Sequence, residues 1–349
     1  MLIFTALLFG CTESLDLPED PSEFGVPVGV QTLEIDGHTT EVWYPATDSN
    51  ERLAGEVIDV LAYVPDSFIE HLGSVSVNGI TTSARRDVEP RRLADPLPVI
   101  LFSHGFGGMR VQSANLATHL ASRGYIVLST DHSGRSLRDV LPCLFSPALE
   151  GCDLSGFGSD PAEDDLDDLL DALPGLAQGD GLLGGRIDTT RIGLFGHSAG
   201  ANSTTTVAED DDRIDAFVAM AGGQAVTRDV PGLFMAGTCD GIVSATGTEE
   251  AATESALPYI AYDGAGHLAF SDLCDLQLTT FAEANLLDRD DLDPTFSDLL
   301  IALAGDGCAD GTPAPDVVGI NECSDAFVLP EAVEPDIRGA LTTHFDAHL

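Results

Sequence analysis

Residues 191–201 read RIGLFGHSAGA, placing Ser198 between two glycines directly after a short apolar run. A strand, a Gly-x-Ser-x-Gly turn and a small-residue helix start, taken in that order, form the setting in which a serine hydroxyl is presented as a nucleophile. An alcohol is a weak nucleophile at neutral pH, so it needs a base, a carboxylate to orient that base, and N–H donors for the oxyanion. Asp240 ends the apolar run FMAGTCD, and His267 follows YIAYDGAG. Their order after Ser198 and their places at strand ends predict Asp240 as the orienting acid and His267 as the base. Asp263 and Asp272 are the rival acids, but both flank His267 locally. His104 and His197 lie inside turn motifs and read as structural. The oxyanion donors expected are the backbone N–H groups of Ala199, next to the serine, and of Phe106 in the Gly-rich turn SHGFGG.

The elements that must position these residues are legible as alternating strands and helices. GVQTLEIDGHTTEVWYPA (29–46) predicts a hairpin around Asp36-Gly37. Residues 53–92 carry mixed helical patterns and read as a helical insertion. PLPVILFSHGFGG (96–108) is a strand entering a turn, SANLATHLASRG (113–124) a helix stopped by Gly124, and YIVLSTDH (125–132) a second strand. DPAEDDLDDLLDAL (160–173) starts with Asp-Pro and puts Leu166, Leu169, Leu170 and Leu173 on one face, leaving its acid run to solvent. Further apolar runs lie at 213–223, 232–240 and 257–267. This alternation predicts a mostly parallel central sheet with helices on both faces, in one α/β domain over residues 24–349.

LPVILFSHGFGGMRVQSANLATHLASRGYIVLSTDHSGRS, taken with RIGLFGHSAGA, resembles the α/β-hydrolase serine esterases. It is similar to bacterial relatives of secreted platelet-activating-factor acetylhydrolase and to dienelactone hydrolase-like esterases. The likeness to cutinase-type polyester hydrolases is more distant. EVWYPA and the GAGH turn match the same group. The resemblance covers most of residues 24–290. It implies Ser198, Asp240 and His267 as a triad with Phe106 and Ala199 as oxyanion donors, acting on carboxylic esters without a cofactor. Polyester hydrolases carry a Trp on the loop after the strand that follows the serine. Here that loop reads AMAGGQ, and the single Trp, Trp43, lies in the hairpin. Dienelactone hydrolases proper use a cysteine nucleophile where this chain has Ser198.

Composition bounds the partners. The 349 residues include 15 basic and 58 acidic side chains, a formal charge of −43, and every basic residue is Arg. Such a charge repels nucleic acid and anionic membrane surfaces. It fits a surface adapted to high salt, with calcium binding as the rival explanation, although no stretch matches a calcium loop.

The first eleven residues, MLIFTALLFGC, resemble the end of a lipoprotein signal, with Cys11 as the acylated residue. Residues 1–23 then read as signal plus polar tether, predicting an exported monomer that meets a membrane only through that anchor. Six cysteines remain, an even number that suggests disulfides. Cys143 and Cys152 bracket one short loop, and Cys308 and Cys323 another. Cys239 and Cys274 are left, and in this fold their loops leave adjacent strand ends, within reach of a bridge. Some polyester hydrolases have a bridge in the corresponding place. No Cys-x-x-Cys spacing supports a zinc site.

Overall fold

Asp36 and Gly37 both adopt positive φ, 49° and 90°, the geometry a two-residue turn needs to match strand twist. The runs on either side therefore pair as an antiparallel hairpin, β1 (Val28–Ile35) and β2 (His38–Pro45), in register from Val28↔Pro45 to Ile35↔His38. The computed structural model describes residues 12–47, 53–66, 69, 78–144, 152, 153, 155, 161–276 and 330–349.

Among its described residues, the 53–92 segment is less helical than its pattern predicts. It forms β3 (Val57–Ile58), one 3₁₀ turn at Val60–Tyr63, β4 (Ile80–Thr81) and β5 (Arg85–Arg86). Residues 66 and 69 are the α-helical ones among those described. The strands win because partners are at hand: β3 pairs with β4, and β5 adds to β1 as a parallel edge strand. Arg86 then places its guanidinium between Glu41 and Glu56, at 3.1 and 2.6 Å.

The rest of the chain alternates strand and helix. β6 (Leu97–Ser103) leads to helix α1 (Ala114–Ser122) and β7 (Ile126–Thr130). Helix α2 (Ala162–Gln178) precedes β8 (Ile187–His197), and helix α3 (Ala199–Asp210) precedes β9 (Ala216–Met220). β10 (Gly232–Gly237), α4 (Ala245–Ser255), β11 (Tyr259–Tyr262) and α5 (Pro330–His348) complete the order. The main sheet has nine strands in the order β11-β10-β9-β8-β6-β7-β2-β1-β5. Strands β6 to β11 are all parallel to their neighbours, and the hairpin joins β7 through an antiparallel β2.

Apolar cores fill both faces. On one, Leu116, Ala117 and Leu120 of α1 pack with Ile337, Leu341 and Phe345 of α5. On the other, Leu166, Leu169, Leu170 and Leu173 of α2 pack with Ala201, Val207 and Ala208 of α3. The α2 pattern was read correctly, except that Asp165 turns inward. It is buried, and its carboxylate accepts from the Ser133 N–H at 3.0 Å and lies 3.2 Å from His132 Nδ1.

Residues 13–23 are part of the fold rather than a free tether. The Glu13 N–H donates to the Arg92 carbonyl at 2.8 Å. Arg91, Arg123 and Arg338 donate to the carbonyls of Ser14, Pro18 and Ser22 at 2.8, 3.0 and 3.1 Å. The segment has few apolar side chains to bury. Its main-chain carbonyls, however, satisfy guanidinium groups that are themselves largely withdrawn from water, Arg91 and Arg123 being buried. Cys11 lies outside the described residues. No helix among the described residues is long and apolar enough to cross a membrane.

Candidate active site

The order of strands reverses around β6: its chain successor β7 lies on one side and β8 on the other. At such a switch point the loops leaving the carboxyl ends of two neighbouring strands part and open a crevice. Gly105 follows β6 and Ser198 follows β8, so both sit at this opening. A Cβ placed on Gly105 would come within 3.2 Å of the Ser198 Cβ.

Ser198 has φ 60° and ψ −121°. A non-glycine residue held there carries strain of about 1–3 kcal/mol and persists only where its surroundings fix it. They do so from both sides. The Ser198 N–H donates to the Met220 carbonyl at 2.9 Å, and helix α3 starts at the next residue. Gly200 lets that helix approach β6, because a Cβ there would lie 2.0 Å from the Ser103 carbonyl oxygen. Ser198 and Ala199 are half-buried, so solute can reach them. Ala199 opens helix α3, and an N–H in a first turn has no acceptor within its own helix. Phe106, also half-buried, follows Gly105 in the same crevice.

Asp240 and His267 are brought together. His267 Nδ1 lies 2.7 Å from Asp240 Oδ2, and their side chains are 6% and 0% exposed. The other carboxylate oxygen, Oδ1, accepts from the Ile242 and Val243 N–H groups, each at 2.8 Å. Three donors thus fix the carboxylate, and the pairing assigns Nδ1 as the protonated ring nitrogen, leaving Nε2 for other chemistry. The rivals are engaged elsewhere. Asp263 accepts from the Thr238 hydroxyl at 3.3 Å, and Asp272 accepts from the Asn115 backbone N–H at 2.8 Å and its amide at 3.1 Å. The base loop is stitched to the serine: His197 Nε2 donates to the His267 carbonyl at 2.9 Å, and the two rings are 4.6 Å apart.

Beneath this crevice lies a polar cluster that sequence reasoning missed. Arg135, almost fully buried, donates to the Ser103 hydroxyl, the His104 carbonyl and the Ser203 hydroxyl at 2.9, 3.0 and 3.0 Å. His132 Nε2 lies 2.9 Å from Ser103 Oγ, and its Nδ1 faces Asp165. His104 Nδ1 donates to the Gly105 carbonyl at 2.7 Å. Burial holds His104, His132 and His197 well below the usual histidine range, so all three are neutral at physiological pH. His104 and His197 are structural, as read. The position of His132 one residue past a strand was the only sequence signal for its part in this cluster.

Asp272 gives a pH prediction. Burial pushes its carboxyl from 3.8 to about 7, against the opposing pull of the Asn115 hydrogen bonds. Between those values the folded state holds more protons than the unfolded one. Stability is therefore highest on the acid side and falls as pH rises toward 7, by about 4 kcal/mol for the full shift. Urea denaturation in 1 M NaCl at pH 5 and pH 8 should show the loss, and Asp272→Asn should flatten it. An unchanged slope in that variant would assign the pH dependence to other groups.

Cys143 and Cys152 form a disulfide. Cys239 and Cys274 are also disulfide-bonded. The expected Cys308–Cys323 pair lies outside the described residues. Among the described residues, no group of three or more His, Cys, Asp or Glu is placed to hold a metal.

Residues 31–140 match the family described as platelet-activating factor acetylhydrolase, isoform II. No curated protein matches the chain. Among solved structures, the chain is similar to a ferulic acid esterase from Streptomyces cinnamoneus. The TM-score is 0.54 at 20% sequence identity, over 93% of this chain and 90% of that one. The fold is that of the α/β-hydrolases, and the likeness to esterases drawn from the sequence is borne out.

Proposed function

We propose that the chain is a serine hydrolase of carboxylic esters with Ser198, His267 and Asp240 as its triad. The observation that carries this reading is the strained Ser198 at the switch point, stitched to a buried Asp240–His267 pair with a 2.7 Å contact. The match to an acetylhydrolase family and the likeness to a ferulic acid esterase support ester cleavage.

His267 Nε2 takes the Ser198 proton as Oγ attacks the ester carbonyl, then gives it to the leaving alcohol. Asp240 keeps the imidazole in the required tautomer and stabilises its cationic form. The N–H groups of Phe106 and Ala199 receive the oxyanion. Water, with His267 as base again, releases the acid from the acyl-enzyme. No step calls for a cofactor.

Short-acyl esters are the substrates the reading favours. The loop after β9, Ala221-Gly222-Gly223, lies beside Ser198 and offers nothing larger than a methyl group to clasp a polymer. The acetylhydrolase match makes short-acyl phospholipids the second class to test. We further propose export, with Cys11 as a lipid attachment point; the Cys143–Cys152 bridge supports an oxidising compartment.

The test is fluorophosphonate labelling of folded protein with peptide mapping, together with turnover of acyl nitrophenyl esters, a short-acyl phospholipid and a polyester film. Label on Ser198 and activity falling with acyl length are expected. A folded protein that takes no label at Ser198 would overturn the enzyme reading in favour of a binding protein on a hydrolase scaffold.

A further inference from the structure

One buried residue touches all three parts of the proposed machinery, two through its side chain and the third through its backbone carbonyl. Gln112, 1% exposed, lies between β6 and α1. Its Oε1 accepts from the Gly105 N–H at 3.2 Å, which holds the oxyanion loop. Its Nε2 lies 2.7 Å from His197 Nδ1, on the residue before the nucleophile. His197 Nε2 in turn donates to the His267 carbonyl at 2.9 Å. The Gln112 carbonyl accepts from the Asp272 N–H at 2.8 Å, five residues beyond His267.

The donors and acceptors can be assigned along the whole chain. His197 is neutral, and its Nε2 must donate because a carbonyl can only accept. Its Nδ1 must therefore accept, so the Gln112 amide nitrogen donates. The same amide then presents its oxygen to Gly105, consistent with that N–H. Every link runs in one direction, from Gly105 through Gln112 and His197 to His267.

We propose that Gln112 is a positioning residue that holds the oxyanion loop, the serine turn and the base loop in a common register. The inference rests on the triad reading above. Gln112 touches no reacting atom. It acts by fixing the distance between the loop that receives the oxyanion and the loop that carries the base, where misplacement by about 1 Å costs on the order of 100-fold in rate. The titratable groups around the relay are His197 itself, His267, His104 on the Gly105 carbonyl, and Asp240 and Asp272 in the loops it joins.

Two variants separate this role from simple packing. Gln112→Leu keeps the volume and removes both side-chain bonds, so kcat should fall about 10- to 100-fold with KM nearly unchanged. Gln112→Glu keeps the shape, and one proton shared between its carboxyl and His197 Nδ1 restores both bonds. Gln112→Glu should therefore be active near neutral pH, with an alkaline limb, absent from the unsubstituted protein, where the shared proton is lost. Fluorophosphonate should label Ser198 slowly but completely in Gln112→Leu.

Equal labelling rates and equal kcat in the unsubstituted protein and Gln112→Leu would overturn the proposal while leaving the triad reading intact. So would equal losses in both variants without the new alkaline limb, which would reduce Gln112 to a packing residue. If Gln112→Leu does not fold, the pH profile of Gln112→Glu decides alone. Failure of the unsubstituted protein to label would instead strike at the triad itself.

Discussion

Ser198→Ala should leave a folded protein with no measurable ester turnover, and His267→Ala should lose about 10³-fold or more in kcat. Asp240→Asn should lose as much as His267→Ala or somewhat less. Its amide would confront the His267 Nδ1–H with a donor on one rotamer, and the Ile242 and Val243 N–H groups with a donor on the other. The ring would then leave its tautomer or its place. Asp263→Asn should stay close to the unsubstituted rate, because the Asp263 carboxylate accepts from the Thr238 hydroxyl while Asp240 holds the His267 ring. Initial rates on a short-acyl nitrophenyl ester, with circular dichroism to confirm folding, measure all four. An active Asp240→Asn beside a dead Asp263→Asn or Asp272→Asn would reassign the acid.

The second large effect is on stability. A chain with 15 basic and 58 acidic side chains repels itself when compact. The screening length is about 10 Å at 0.1 M salt and about 3 Å at 1 M. The melting temperature should accordingly climb by about 10 °C or more between 50 mM and 2 M NaCl at pH 7.5. Millimolar calcium should not replace the sodium chloride. If small amounts of calcium alone produce the rise and a chelator removes it, the acid side chains serve a bound ion. A melting temperature indifferent to both would remove both accounts of the charge.

What the sequence disclosed about the site was local. RIGLFGHSAGA carries its own strand, strained turn and helix, all within a dozen residues, so Ser198 could be read directly. Asp240 and His267 were readable because each lies in the loop that leaves an apolar strand, and strand ends in a parallel sheet converge on one edge. Gln112 was not readable. Its meaning lies in contacts with Gly105, His197 and Asp272 that only the fold brings together. Asp165 was misplaced for a related reason: an acid in a run of acids looks solvated until His132 and Ser133 are seen facing it. The 13–23 segment carried little apolar signal, since much of what holds it is its backbone.

The docking of both chain ends on helix α1 bears on how this protein can fold as it is made. Arg338 bonds Ser22 across 316 positions, and Thr342 meets His119 across 223. Ile337, Leu341 and Phe345 are fully buried against the α1 face of the sheet. During synthesis, that face is covered only in part, by α1, until α5 has emerged, while the rest of the sheet can already pair. Contacts of such long span also close late and slowly. The interval between sheet formation and the arrival of α5 is thus when the nascent chain most needs a holding chaperone, and a chain lacking α5 would leave an otherwise complete sheet with one face partly wet.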